Sequence, residues 1–333
     1  MDALPEFALV RPHSLDEAIK ARAARPGSQL LGGGTDLLVN IRRGIVAPPV
    51  LLDVTGVTEL TDISADEQGL NIGAAATLST VAAHPGVTAH YPVVAQAAHG
   101  VAGPTQRHMG TVGGNLCLDT RCIFYNQSTW WRAANNHCLK TTGDICHVAP
   151  KSHGVCFATF SGDLAPALLV LGAEIELAGP SGRRALPLRD FYIGHARRDG
   201  GGDGKNYLAL APGEMVVAVR AKHTPELRSG YDKIRIRRSI EYPVAGVAVA
   251  LRREAAALAD LRVAFTGTNP RPVLLEGTAG LCGGPLDARV LDGLDALVRD
   301  QVMAMKTTFT PGHYRRRVAG VLARRLVMKL WDA

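Results

Sequence analysis

The stretch LLGGGTDLLV at residues 30–39 places three consecutive glycines after a short apolar run and before Thr35 and Asp36. Glycine has no Cβ, so this run lets the backbone approach a ligand closely and turn its N–H groups toward phosphate oxygens. Leu37 occupies the last glycine position of a G-x-G-x-x-G fingerprint, and no P-loop pattern is present, so neither a Rossmann site nor an NTPase is indicated. The stretch suits a pyrophosphate-binding loop, and a tight turn without a ligand is the alternative.

A second glycine loop, GTVGGN at residues 110–115, has the same character. Its two glycines give access to the backbone, while Thr111 and Asn115 add hydrogen-bonding groups. The segment IGAAAT at residues 72–77 lies between the two loops, and SGD at residues 161–163 follows them. Each loop alone is a weak signal, but two in one α/β region favour a long, phosphate-bearing cofactor shared between two lobes.

The segments around the loops show the periodicities of helices and strands. Ser14 and Glu17 have the spacing of a capping box, which predicts a helix to about residue 25. Residues 164–171 predict a buried helix, and residues 173–177 predict the strand that follows it. Apolar residues at spacing four predict an amphipathic C-terminal helix. These residues are Val318, Leu322, Leu326 and Leu330.

Changes in composition predict three units along the chain. The first lobe covers residues 1–56, and the second lobe covers residues 57–220 and includes a cysteine-rich insert at 117–160. The run ARRDGGGDGK at residues 196–205 is polar and glycine-rich, which indicates an exposed loop before the last unit. Residues 221–333 then form a separate C-terminal domain.

Composition and charge limit the partners. No apolar stretch is long enough to span a bilayer, and Met1 is followed by Asp2 and Glu6 instead of a basic region, so we expect a cytoplasmic chain without membrane contact. The formal net charge is +7, but aromatics make up only 5% and the arginines are scattered, which argues against nucleic acid. The basic surface is expected to face acidic partners or subunits.

Five of the six cysteines are concentrated in the insert, at residues 117, 122, 138, 146 and 156, and the sixth is Cys282. In a cytoplasmic chain such a concentration points to metal or redox chemistry instead of disulfides. No C-x2-C pair occurs, so the spacing matches neither a bacterial ferredoxin nor a zinc ribbon. Both an iron–sulfur cluster and zinc stay open, because His137, His147 and His153 lie close enough in sequence to act as zinc ligands.

Together the motifs resemble a known family. LLGGGTDLLV, IGAAAT, GTVGGN and SGDLAPALLVLGA occur in the order seen in the FAD-binding subunits of the xanthine dehydrogenase and carbon monoxide dehydrogenase family. The segments YDKIRIRRSIEYPVAGVAVAL, RVAFTGTNPRPV and YRRRVAGVLARRL resemble the C-terminal domain of those flavoproteins. The resemblance implies an α+β fold: a two-lobed FAD-binding domain of the molybdenum hydroxylase type with an inserted iron–sulfur loop, then an α/β C-terminal flavoprotein domain.

The same resemblance implies roles for individual residues. The FAD pyrophosphate is expected at the two glycine loops, which comprise Gln29, Leu30, Leu31, Gly32, Gly33, Gly34, Thr35 and Asp36, and Thr111, Val112, Gly113, Gly114 and Asn115. Asp163 is expected near the ribityl chain or flavin, and Lys233 near the flavin from the C-terminal domain. Val101 and Met215 are expected among the lining residues.

The insert itself resembles the one that carries a 4Fe-4S cluster in the β subunit of 4-hydroxybenzoyl-CoA reductases. That resemblance implies Cys122, Cys138, Cys146 and Cys156 as cluster ligands and leaves Cys117 as a free thiol. Cys117 and Cys282 are interpreted as small packed residues. Trp130 and Trp131 are expected to pack the insert against the body of the protein.

The implied function is electron transfer within a molybdenum enzyme, with no catalytic acid, base or nucleophile on this chain. Electrons would pass from reduced ferredoxin to 4Fe-4S, to FAD, to 2Fe-2S centres on a small subunit, and to a molybdenum cofactor on a large subunit, where 4-hydroxybenzoyl-CoA is dehydroxylated. Two alternatives are the FAD subunit of an oxidative molybdenum hydroxylase that acts on another aromatic or acyl-CoA substrate, and a non-redox binding protein with a structural zinc loop.

Overall fold

The computed structural model describes residues 4–193, 202–237 and 240–333. Its strands are β1 Ala8–Val10, β2 Gln29–Leu31, β3 Val50–Asp53, β4 Ile63–Ala65, β5 Leu70–Gly73, β6 Glu174–Gly179, β7 Gly182–Pro187, β8 Met215–Ala221, β9 Arg228–Ile234, β10 Ala245–Glu254, β11 Ala257–Thr266 and β12 Val273–Leu274. Its α-helices are α1 Leu15–Ala23, α2 Leu37–Arg42, α3 Leu78–Ala83, α4 Pro85–His90, α5 Pro92–Gly100, α6 Pro104–Met109, α7 Val112–Leu116, α8 Thr129–Ala134, α9 Leu164–Val170, α10 Leu188–Phe191, α11 Ala288–Gln301 and α12 Gly312–Asp332. The 3-10 turns span Thr58–Leu60 and Thr278–Leu281.

The first lobe is a parallel three-stranded sheet in the order β1-β3-β2. Helix α1 connects β1 to β2. It begins where the capping box predicts, because the Ser14 hydroxyl accepts a hydrogen bond from the Glu17 N–H at 3.2 Å. The Glu17 carboxylate accepts from the His13 N–H at 2.8 Å instead of from Ser14, so the reciprocal bond is shifted by one residue. The first glycine loop follows β2 directly, at the carboxyl end of the sheet.

The second lobe is a five-stranded sheet in the order β4-β5-β8-β6-β7, with all neighbours antiparallel. The predicted helix at 164–171 is confirmed as α9, in which every residue is buried. The predicted strand at 173–177 is confirmed as β6, one residue later at its start. A helix that is apolar on all sides must be covered on all sides, which places α9 at the centre of the molecule.

The C-terminal domain covers one side of α9. Its antiparallel sheet has the order β12-β11-β10-β9. Along β10, Val247, Val249 and Leu251 pack with helices α11 and α12, whereas Ala248 and Ala250 belong to the core that contains α9. Because side chains alternate across a strand, the sheet is buried on both faces, with small alanines toward the FAD-binding lobes. The predicted C-terminal helix is confirmed as α12, where Val318, Leu322 and Leu326 are buried.

The sequence-based interpretation of the insert and of the glycine-rich loop is partly corrected. Trp131 packs against Phe124 with ring centroids 6.3 Å apart, but Trp130 is 78% exposed, so the expectation that it packs against the body is wrong. Its position on the first turn of the short helix α8 directs it outward. Residues 196–201 of the predicted exposed loop lie outside the described residues. No helix in the described ranges is long and apolar enough to cross a membrane.

Arg315 ties the C-terminal domain to the base of the insert. Its buried guanidinium donates to the carbonyls of Val244 at 3.2 Å, Met305 at 3.1 Å and Gly267, and to the Thr307 hydroxyl at 2.8 Å. Thr307 in turn shares a hydrogen bond with the Thr159 hydroxyl at 2.7 Å and accepts from the backbone N–H of residue 123 at 2.9 Å. Burial lowers the pKa of Arg315 to about 10, which leaves it charged at neutral pH.

We expect Arg315→Met to lower the free energy of unfolding by at least about 2 kcal/mol, because it leaves several buried carbonyls without a donor. Urea unfolding followed by circular dichroism measures the change. Arg317→Met is the matched control, since Arg317 is exposed on the same helix and should shift the midpoint little. Equal stabilities of the two variants would contradict the role assigned to Arg315.

Candidate functional site: two interlocked glycine loops and a cysteine pocket

The two predicted glycine loops lie against each other. A Cβ on Gly33 would stand 1.6 Å from the Met109 carbonyl oxygen, and one on Gly32 would stand 2.6 Å from the Thr111 hydroxyl oxygen. Gly34 has a φ of +70°, which favours glycine. The glycines are therefore required for the contact between the loops, as well as for the approach of a ligand.

The backbone donors of the two loops are used differently. Among the described residues, the N–H groups of Gly33, Gly34 and Thr35 have no protein acceptor. In the second loop, two backbone N–H groups already have acceptors within the protein: Gly113 N–H donates to the Ala74 carbonyl at 2.7 Å, and Val112 N–H donates to the Ala76 carbonyl at 2.9 Å. The first loop thus has the free donors that a pyrophosphate needs, and the second is held in place by the IGAAAT segment.

Asp163 lies at the start of α9, where the second lobe meets the C-terminal domain. Its carboxylate accepts from the Lys233 ammonium at 2.8 Å and from the Tyr231 hydroxyl, and the side chains of Asp163 and Lys233 are each 4% exposed. Burial, followed by the Asp163 charge, raises the pKa of Tyr231. Asp163 and Lys233, each predicted to lie near the flavin, are thus in direct contact, and their ion pair joins the second lobe to the C-terminal domain.

Asp36 connects the first glycine loop to two other parts of the chain. Its carboxylate accepts from the Asn40 amide at 2.7 Å and from the Tyr242 hydroxyl of the C-terminal domain at 3.2 Å. Asn40 in turn accepts from Arg121 of the insert at 3.0 Å. Burial raises the pKa of Asp36, and the Arg121 charge opposes that rise. The loop is therefore braced by both the insert and the C-terminal domain.

The remaining predicted FAD contacts are dispersed. Asn115 is buried, and its side-chain oxygen accepts from the Leu164 N–H at 3.0 Å, which fixes the start of α9. Val101 is half-buried against the central core. Met215 is 1% exposed and packs in the same apolar core as Leu30. Leu30 lies on strand β2 between Gln29 and Leu31. The roles of these residues toward FAD stay predictions.

The four predicted cluster ligands converge. Cys122, Cys138, Cys146 and Cys156 are each between 6% and 8% exposed and line one small pocket together with Tyr125, Lys140 and His147. They are spread over the insert, yet the chain returns each of them to the same cavity. Within the described ranges, no three His, Cys, Asp or Glu side chains are placed to hold a single metal ion.

A segment outside the insert packs against two of the residues that line this pocket, Cys156 and Lys140. Gly204 has a φ of +81°, and a Cβ on it would stand 2.6 Å from the Cys156 sulfur. The Cys156 N–H donates to the Gly202 carbonyl at 3.1 Å, and the Gly204 carbonyl accepts from the Lys140 ammonium. The described part of the predicted exposed loop therefore packs against Cys156 and Lys140, two residues that line the pocket, which corrects the interpretation of residues 202–205 as a linker.

The surroundings of the thiols shift their pKa values in different directions. Burial raises the pKa of Cys122 to about 11 and that of Cys117 to about 12, so both stay protonated at neutral pH. A hydrogen bond shared between Cys146 and Cys156 lowers the pKa of Cys146 and raises that of Cys156. Binding of a metal by these thiols would release protons. Cys117 and Cys282 lie outside the pocket and pack against the apolar cores, as predicted.

Several residues of the site were not found from the sequence. Tyr231 stands two residues before Lys233 on β9, so the period of a strand places both side chains on the face toward Asp163. That alternation was available as a signal. Arg121, Tyr242 and Lys140 carry no local signal, because their partners at Asn40, Asp36 and Gly204 are distant along the chain.

The fold and the loops define a flavoprotein subunit. Residues 5–221 match the family described as FAD binding domain in molybdopterin dehydrogenase, and residues 230–330 match the CO dehydrogenase flavoprotein C-terminal domain. The chain belongs to this family, and it is the FAD-binding subunit of a molybdenum hydroxylase-type enzyme. The predicted fold class and FAD are thereby confirmed.

Relatives agree over nearly the full length. The aldehyde oxidoreductase FAD-binding subunit PaoB of Escherichia coli is 30% identical over 95% of this chain and 97% of its own length. The carbon monoxide dehydrogenase medium chain of Afipia carboxidovorans is 27% identical over 95% and 94%. A solved structure of carbon monoxide dehydrogenase from Oligotropha carboxidovorans superimposes with a TM-score of 0.79, 23% identity and 99% coverage of both chains, which shows the shared fold.

We expect Gly33→Ala to lower the FAD content of the purified protein at least tenfold, because the new Cβ would overlap the Met109 carbonyl and separate the loops. Flavin absorbance per chain measures the effect. Gly56→Ala in the same lobe is the matched control, since a Cβ there meets nothing within 4 Å. Full FAD occupancy in Gly33→Ala would mean that the contact between the loops does not support the site.

Proposed function

We propose that this subunit carries a 4Fe-4S cluster beside its FAD and that it serves an enzyme resembling 4-hydroxybenzoyl-CoA reductase. The convergence of Cys122, Cys138, Cys146 and Cys156 on one buried pocket carries the proposal. Four soft thiolates without a carboxylate suit iron–sulfur ligation. The four proposed ligands all belong to the insert, which lies in the chain between GTVGGN at residues 110–115 and SGD at residues 161–163. Both of these motifs are predicted to contact FAD, so the cluster would lie close to the flavin site.

A redox cluster fits a flavoprotein that transfers electrons better than a structural zinc ion does. The space between the four thiols is about 10 Å³, the size of one water, and no three His, Cys, Asp or Glu side chains in the described part of the chain are grouped around a single ion. Assembly of a cluster would therefore require the thiols to move apart.

The chain's own residues position the cofactors and screen them from water. The free N–H groups at Gly33, Gly34 and Thr35 would hold the FAD pyrophosphate. The buried pair of Asp163 and Lys233 would fix charge beside the ribityl chain or flavin. When bound, FAD and the cluster supply the redox chemistry. No general acid, base or nucleophile is assigned to this chain, because the substrate would react on a partner subunit.

The partners follow from the same proposal. The relatives carry the names FAD-binding subunit and medium chain, which imply further subunits. We assign a large subunit with the molybdenum cofactor, a small subunit with 2Fe-2S centres, and a reduced ferredoxin as electron donor, in the cytoplasm. The net charge of +7 suits docking of an acidic ferredoxin, since complementary charge accelerates encounter. A rate of reduction that does not change with salt would oppose this step.

The names of the relatives favour a second candidate function. These relatives include subunits of an aldehyde oxidoreductase and of carbon monoxide, xanthine and nicotinate dehydrogenases. An oxidative molybdenum hydroxylase would send electrons from substrate through this subunit toward an acceptor. Assay of the assembled enzyme with 4-hydroxybenzoyl-CoA and reduced ferredoxin, and separately with aldehydes and an acceptor dye, distinguishes the two directions.

We expect Cys138→Ser, prepared without oxygen, to lose the iron and the reduced-cluster EPR signal, while the wild type contains about four irons per chain. Iron, sulfide and zinc analysis with EPR of the dithionite-reduced protein measures this. Cys282→Ser is the matched control, because Cys282 lies outside the pocket, and it should keep all iron. Zinc without iron in the wild type would refute the cluster and restore the zinc loop.

We also expect Gly204→Ala to lose most of the iron, because its Cβ would overlap the Cys156 sulfur and displace a ligand. Gly202→Ala is the control, since a Cβ there comes no closer than 3.6 Å to any atom. The same iron analysis measures both variants. Full iron content in Gly204→Ala would show that Cys156 does not need its present position.

A further inference from the structure

Lys140 is a buried cation in the wall of the cysteine pocket. Its side chain is 4% exposed, and it lines the pocket with Cys122, Cys138, Cys146 and Cys156. No Asp, Glu or Arg is among the described residues of that lining. A lysine is seldom buried to this degree without a specific set of partners, because taking an ammonium group out of water is costly.

The partners of Lys140 come from two separate parts of the chain, residues 119–125 and residues 204–207. Its ammonium forms an ion pair with Asp119 at 2.8 Å, and it donates to the Thr120 hydroxyl at 2.9 Å and to the Gly204 carbonyl. It also lies over the rings of Tyr125 and Tyr207, at 5.3 Å and 4.9 Å from their centroids. This cage holds the charge in one place instead of letting it reach solvent.

The charge of Lys140 is only partly cancelled by Asp119. The same carboxylate faces Arg121 at 3.8 Å, so two cations share one anion and the three groups together carry +1. Of the three, only Lys140 lines the cysteine pocket. A Cβ on Gly204 would stand 2.6 Å from the Cys156 sulfur and 3.6 Å from the Lys140 Cδ, so the Lys140 side chain lies next to a proposed ligand.

We propose that Lys140 is a positioning residue that raises the reduction potential of the centre held by the four cysteines. The inference rests on the proposed function, since it requires the cluster. A one-electron reduction by an external donor adds one negative charge to the centre. A fixed positive charge beside it in a poorly screened site favours the reduced form. Lys140 thereby eases the entry of an electron from the donor.

The test is an EPR-monitored redox titration of the full-length protein, purified without oxygen. Lys140→Met removes the charge and keeps the length of the side chain, and Asp119 retains Arg121 as a partner. At a fixed potential we expect the ratio of reduced to oxidised cluster to fall at least tenfold, which is about 59 mV in the midpoint of a one-electron couple. Lys140→Arg keeps the charge and should restore the midpoint.

Two further variants separate charge from structure. Asp119→Asn removes the negative partner, so its midpoint should move in the opposite direction, upward. Lys151→Met removes an exposed positive charge from the same insert and should leave the midpoint unchanged. If Lys140→Met and Asp119→Asn shift the midpoint in the same direction, Lys140 acts only by packing and the proposal is overturned.

The outcomes distinguish this inference from the proposed function. Wild-type protein without iron would overturn both. Wild type and Lys140→Met with equal iron and equal midpoints would overturn only the role of Lys140. If Lys140→Met fails to assemble, Lys140→Gln replaces it, because the glutamine amide can still donate to Thr120. Loss of iron in both neutral variants, with iron retained in Lys140→Arg, would give Lys140 a role in assembly and overturn the role in potential.

Discussion

The close approach of the two glycine loops is the contact on which the rest of the site depends. Gly33 lies so near the Met109 carbonyl that no side chain fits between them. The second loop is held by the backbone of the IGAAAT segment, and Asn115 at its end fixes the start of α9. Asp163, at that start, then receives Lys233 from the C-terminal domain. A continuous series of short contacts therefore connects the first lobe to the last domain.

The insert is part of this framework and not an independent module. Arg121 connects it to Asn40 behind the first glycine loop, and Thr159 connects it to Thr307 in the C-terminal domain. Gly204, which lies outside the insert, packs directly against Cys156. The cysteine pocket is therefore tied to the first lobe and to the C-terminal domain, as well as to the rest of the insert.

Local patterns predicted the elements well where the pattern and the packing agree. The capping residue Ser14, the apolar helix at 164–170 and the stripe on α12 are confirmed, because each depends on periodicity within one segment. The prediction that Trp130 packs against the body of the protein was wrong, because the exposure of a side chain depends on which way its short helix faces. The prediction of an exposed linker was wrong at residues 202–205, because a polar, glycine-rich composition is also typical of a linker. Gly204 is needed there because only a residue without a side chain fits beside Cys156.

The sequence by itself determined the family, the positions of the two glycine loops and the identity of the clustered cysteines, since these are carried by residue types at short spacings; the roles of the loops toward FAD stay predictions. Only the tertiary structure decided that Lys140 is caged beside the thiols, that Asp36 is braced by Tyr242, and that Asp163 is shared by Tyr231 and Lys233. The physical reason is distance along the chain. Hydrogen bonds and ion pairs between residues far apart in sequence leave no periodic trace, and they exist only once the sheets and α9 have packed.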